Sequence, residues 1–149
     1  MRKTSFVTGL ITTVTSAVAA AFIIGGCSSP IAPSDDLRGG VVATFDVSGQ
    51  RFKAFVTNAQ AIADLFALQN GQSTASIPNG RVLRGRGAGE HNAPYDWHLD
   101  PTDIQMAGAT IELCDGAPSS VQANIGEYVD VIGRYCPWGA SLVSIQDFR

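Results

Sequence analysis

Few residues in this chain are equipped for chemistry. It has two histidines, His91 and His98, and three cysteines, Cys27, Cys114 and Cys136, in 149 residues. His98 lies in a run that also carries Asp96, Asp100 and Asp103. An imidazole beside carboxylates is the material of an acid–base pair or a metal site. The spacing matches no tight zinc pattern, and Asp100-Pro101-Thr102-Asp103 has the composition of a turn or helix cap. A calcium loop fits worse, because the alternating oxygen ligands and central glycine are missing. There is no G-x-S-x-G to mark a serine nucleophile. Glu90, Glu112 and Glu127 are available for paired-carboxylate hydrolysis, but a small domain offers little length for the cleft it needs. No metal and no cofactor are expected. The enzymatic alternative is a small hydrolase using His98 with Asp96, Asp100 or Glu112.

Two clusters suggest binding instead. Arg81, Arg84 and Arg86 stand in the glycine-rich stretch GRVLRGRGAG, and guanidinium groups capture phosphate or carboxylate bidentately. The competing reading is a solvated strand and loop whose arginines pair with nearby acids. Tyr95, Trp97, Tyr135 and Trp138 have the rings for a sugar or peptide platform, or for the core beside a disulfide. The candidate binding residues are Trp97, His98, Arg81, Arg84 and Trp138. A net charge of -3 argues against nucleic acid as a partner.

The third cysteine carries a different chemistry. Met1-Arg2-Lys3 precedes an apolar run from Phe6 to Ile24, and no charge falls between Lys3 and Asp35. That is the order of a secretory signal. The run closes on Ile24-Gly25-Gly26-Cys27, which resembles the lipobox of bacterial lipoproteins: an aliphatic residue, two small residues, then the cysteine that is acylated. The expected boundaries are a signal peptide over 1–26, a flexible tether over 27–40 and a globular domain over 41–149. The alternatives are an uncleaved anchor, since the run approaches the ~20 residues needed to span a bilayer, and ordinary cleavage nearby with Cys27 incidental. With Cys27 acylated, the chain sits on the extracytoplasmic face of the cell membrane, held by lipid. Cys114 and Cys136 then remain as an even pair in an exported domain. They read as a disulfide, because no C-x-x-C marks a redox couple.

These side chains need a scaffold. Val41–Val47 and Arg51–Val56 read as a hairpin closed by Ser48-Gly49. Thr57 and Gln60 have capping-box spacing, and Ile62, Leu65 and Phe66 share the face of a helix that Asn70-Gly71 stops. Pro78-Asn79-Gly80 reads as a turn; Arg81–Arg84, Tyr95–Leu99, Thr110–Cys114 and Ala140–Ile145 read as strands. Pro118-Ser119, with Gln122 completing a capping box, starts a second short helix in which Val121 and Ile125 share a face. The expected class is α+β: a small, mainly antiparallel sheet with two short helices and one disulfide.

Gly80-Arg81-x-x-Arg84-Gly85, Trp97-His98-Leu99-Asp100-Pro101, Ile111-Glu112-Leu113-Cys114-Asp115, Pro118-Ser119-x-Val121 and Cys136-Pro137-Trp138 occur in this order. The series resembles a family of small secreted domains named for the N-terminal domain of a slime-mould calmodulin-binding protein, with many bacterial members. The resemblance covers about Val41 to Ile145. It implies a small α+β domain with one disulfide and brings no catalytic residues. Calmodulin binding does not transfer, because no basic amphipathic helix is present. Gln122 stands where the family usually has an acidic residue. The expected function is a non-enzymatic domain that binds a protein, a peptide or an envelope component.

Overall fold

The computed structural model describes residues 35–149. Cys27, the signal segment and most of the expected tether lie outside the described residues. The strands are β1 (Val41–Val47), β2 (Gln50–Val56), β3 (Ile77–Arg84), β4 (Trp97–Leu99), β5 (Gln105–Ala107), β6 (Arg134–Tyr135) and β7 (Ala140–Asp147). The helices are α1 (Ala59–Gln69), α2 (Pro118–Ala123) and α3 (Ile125–Glu127).

β1 and β2 form the expected hairpin, in register from Val41↔Val56 to Val47↔Gln50. Ser48 and Gly49 both take positive φ, 53° and 81°, as a two-residue turn matched to strand twist requires. The Asp46 carboxylate accepts the Gly49 N–H at 2.9 Å and fixes that turn. β7 returns antiparallel along the other edge of β1, giving the order β2-β1-β7. In the second sheet β3 is the hub, pairing antiparallel with β4, β5 and β6. The α+β class and the disulfide are as expected.

The two sheets meet through a ring cluster. Phe52 stacks on Phe45 at 5.5 Å and meets Trp97 at 5.7 Å and Tyr135 at 5.4 Å. Trp97 meets Tyr135 edge-on at 5.3 Å. All four are fully buried, and Leu65, Leu99, Ile104 and Val121 pack around them. Large rings in offset and edge-to-face contact add to the burial of apolar area, so this cluster is the main source of cohesion.

Several local expectations are corrected. Pro78-Asn79-Gly80 is no turn but the middle of β3, where Pro78 faces Met106 and Gly80 faces Tyr135. A Cβ on Gly80 would lie 3.1 Å from Ile104, so the glycine serves close packing. Thr110–Cys114 is not a strand. Glu112–Cys114 is a single tight helical turn, and Cys136 holds it through the disulfide and through its N–H, which donates to Cys114 O at 2.8 Å. The cap of α1 is Asn58, whose side chain accepts from Gln60 N and Ala61 N; Thr57 instead donates its N–H and hydroxyl to Pro101 O. No side chain caps α2. Pro118 opens it, and Asn124 at φ -121° separates Val121 from Ile125. The strand expected over Tyr95–Leu99 narrows to Trp97–Leu99.

Order also begins earlier than Val41. Leu37 is buried with Val42 and Phe55, next to Ala88 and Phe148. The Gly39 N–H donates to Phe148 O at 3.0 Å, and the Phe148 N–H donates to Gly40 O at 2.9 Å. The last residues of the expected tether are therefore part of the packed domain.

Candidate functional site

The β3–β4 ladder decides which candidate residues reach the surface. Val82↔Leu99, Leu83↔His98 and Arg84↔Trp97 are paired. Trp97 and Leu99 turn into the core, so the strand period puts His98 on the opposite face. Trp97 is fully buried, so its ring does not reach the surface. Its place is the ring cluster, along with Tyr135. Trp138 is 44% exposed, and its backbone N–H donates to the Asp115 carboxylate at 2.8 Å. Tyr95 is half-buried against Trp97, with ring centres 5.6 Å apart.

His98 is half-buried, and its Nδ1 donates to Gly85 O at 2.8 Å. A carbonyl partner fixes a hydrogen on Nδ1. Its ring stands edge-to-face with His91, 5.9 Å between centres. Two of the three carboxylates that would complete an acid–base site are occupied. Asp96 binds Arg86 Nε at 2.9 Å. Asp100 takes Arg81 at 2.5 Å, together with the Thr102 N–H at 3.0 Å and the Thr102 hydroxyl at 2.8 Å. Burial pushes the Asp100 carboxyl up, but these donors outweigh it and hold the group below the ordinary carboxylate range. Glu112 is exposed in the turn before Cys114.

The arginine cluster is dispersed by its partners. Arg81 goes to Asp100, Arg84 to Asp130 at 2.6 Å, and Arg86 to Asp96 and Glu90. The reading of arginines paired with nearby acids describes them, and no converging anion cradle forms. Among the described residues no group of three or more His, Cys, Asp and Glu side chains could hold a metal ion. No helix among them is long and apolar enough to cross a membrane. Gln122 braces the start of β4, its side-chain oxygen accepting the Asp96 N–H at 2.7 Å.

The surface carries open clefts elsewhere. One of about 270 Å³ lies beside the disulfide, lined by Ile111, Leu113, Cys114 and Ile132 with Asn79 and Arg134 at its polar end. Ile111 and Leu113 are 67% and 64% exposed. Another, of about 420 Å³, runs between the end of α1 and β7, along Leu68, Gln69 and Ala140–Val143. His98 lines neither.

Sequence reasoning missed two residues. Asn92 is a fully buried amide: its Oδ1 accepts the Lys53 N–H at 2.8 Å and its Nδ2 donates to Trp97 O at 2.7 Å. His91 is a buried imidazole, only 6% exposed, with Nδ1 donating to Ala88 O at 3.0 Å. Local sequence gives no sign of either, since their surroundings come from strands distant in the chain.

No curated protein and no solved structure matches the chain. Residues 40–149 match the family of the BP-74 N-terminal domain, a span that takes in all seven strands and three helices given above. On that match the chain belongs to the BP-74 N-terminal domain family.

Proposed function

We propose that this protein is a lipid-anchored domain on the extracytoplasmic face of the cell membrane, which binds a protein, peptide or envelope component and catalyses no reaction. The anchoring half rests on sequence: a basic head, an apolar run and a box ending in Cys27. Two or more acyl chains there give stable attachment, whereas one gives marginal binding. The non-catalytic half rests on one observation. Both carboxylates nearest His98 in sequence are committed to arginines, Asp96 to Arg86 and Asp100 to Arg81. Neither is then free to pair with the imidazole as the partner of an acid–base site.

The hydrolase reading is tested by a broad screen of the purified domain with peptide, ester, glycan and phosphoester reporters. The expected result is no turnover above buffer, and an unchanged fold in His98→Ala. Turnover of any reporter that falls about a hundredfold in His98→Ala, the usual loss for a general acid–base group, would overturn the non-catalytic reading.

A further inference from the structure

The loop from Gly85 to Glu90 crosses left-handed backbone at Gly85, Gly87, Gly89 and Glu90, with φ of 89°, 77°, 56° and 52°. Its ends are tied, Gly85 N–H donating to Asp96 O at 2.8 Å and Asn92 N–H to Arg86 O at 3.1 Å, and the His91 imidazole seats its middle. The His91 ring lies against Gly87 so tightly that a Cβ there would overlap it. His91 Nδ1 donates to Ala88 O at 3.0 Å, and the other face of the site is Phe55, 6.0 Å away between ring centres. Ala88 packs in turn on the small cluster of Leu37, Val42 and Phe55, where the described chain first becomes buried.

The remaining ring nitrogen, Nε2, is buried without a hydrogen-bond partner. As a lone pair on a neutral ring this is tolerable; as an N–H⁺ it would be a buried charge with nothing to accept it. The charges bearing on the ring are both basic: Lys53 on β2 and His98 on β4. On its own loop, Glu90 is 75% exposed and pairs with Arg86. Asp36 and Arg38, on the turn packed against the loop, are exposed and are not among the charges acting on the ring.

We propose that His91 is an acid-sensitive latch: protonation drives its ring out of the seat on Gly87, loosens the turn over Gly87–Glu90 and unseats Leu37. The direction follows from linkage. Burial pushes the His91 pKa down, the Ala88 carbonyl pulls it partly back up, and His98 and then Lys53 add smaller downward pushes. The closed state is therefore fully favoured above the ordinary histidine value of about 6.5 and loses ground as pH falls below it. Opening that takes up one proton grows up to about tenfold per pH unit in that window. This property belongs to the domain whether or not Cys27 is acylated. In an anchored protein it would lengthen the tether in acid.

Hydrogen exchange read by mass spectrometry, corrected for intrinsic rates, tests it at about pH 7.5 and about pH 5, either side of the histidine range. Segments 35–40 and 85–91 should lose at least tenfold protection in acid, while the β1–β2 amides keep theirs. His91→Asn retains a donor for Ala88 O without a titrating ring and should abolish the acid loss. Unchanged protection in the wild type, or the same acid loss in His91→Asn, would overturn the latch.

Discussion

The Asn92 side chain binds the backbone of Lys53 across 39 residues of sequence, Oδ1 accepting the Lys53 N–H at 2.8 Å. Its Nδ2 donates to Trp97 O at 2.7 Å. One amide thus meets the outer edge of β2 at Lys53 and ties it to the strand that carries His98.

Asn92→Ala should therefore destabilise the domain by about 2–4 kcal/mol, the cost of leaving buried donors and acceptors unpaired. Urea denaturation followed by tryptophan fluorescence measures it. Asn92→Asp should be worse at neutral pH, because it buries a charge and loses the donor to Trp97. Its deficit should shrink as acid neutralises the carboxyl. A loss below about 0.5 kcal/mol in Asn92→Ala, the level of an ordinary surface change, would refute the role.

The Cys114–Cys136 bond spans 22 residues and pins the Glu112–Cys114 turn against β6. Cys114→Ser and Cys136→Ser should each cost about 2–5 kcal/mol, and by similar amounts, since either removes the same bond. Intact mass of the oxidised domain should fall short of the reduced form by two hydrogens. Free thiols at both positions under oxidising conditions would reject the bridge.

Tyr135 is fully buried, and its hydroxyl donates to Gly116 O at 2.9 Å. Burial is the largest of the effects that push its pKa far above the ordinary tyrosine value, with Tyr128, Asp115 and Tyr95 adding to it. The unfolded chain ionises near pH 10 while the native ring does not. Stability from this group is therefore complete below about pH 10 and is lost as the pH climbs above it. Phenolate absorbance should show Tyr135 ionising only with unfolding, and Tyr135→Phe should flatten the alkaline fall in stability. Ionisation of all three tyrosines in the native state at ordinary pH would contradict this.

The elements legible in the sequence were those built from neighbours. The β1–β2 hairpin follows from period-two alternation and a Ser-Gly turn, and the end of α1 follows from Asn70-Gly71. The misread ones are set by distant partners. Pro78-Asn79-Gly80 has turn composition, yet β5 and β6 pair with it and make it strand. Ile111-Glu112-Leu113 alternates like a strand, yet the segment winds into a tight turn whose last residue, Cys114, is held by Cys136 through the disulfide and the Cys136 N–H. For the site, strand period alone placed His98 opposite Trp97 and Leu99. It could not show that Asp96 and Asp100 were already held by Arg86 and Arg81.

Attachment through Cys27 is the central claim, and acyl labelling tests it most directly. Cells expressing the full chain are fed an alkyne fatty acid, and the protein is isolated and probed for label. Wild type should be labelled and partition with membranes, while Cys27→Ala should carry no label and either keep its leader or leave the membrane. Equal label in the two proteins, or an unlabelled wild type released from membranes, would contradict the account.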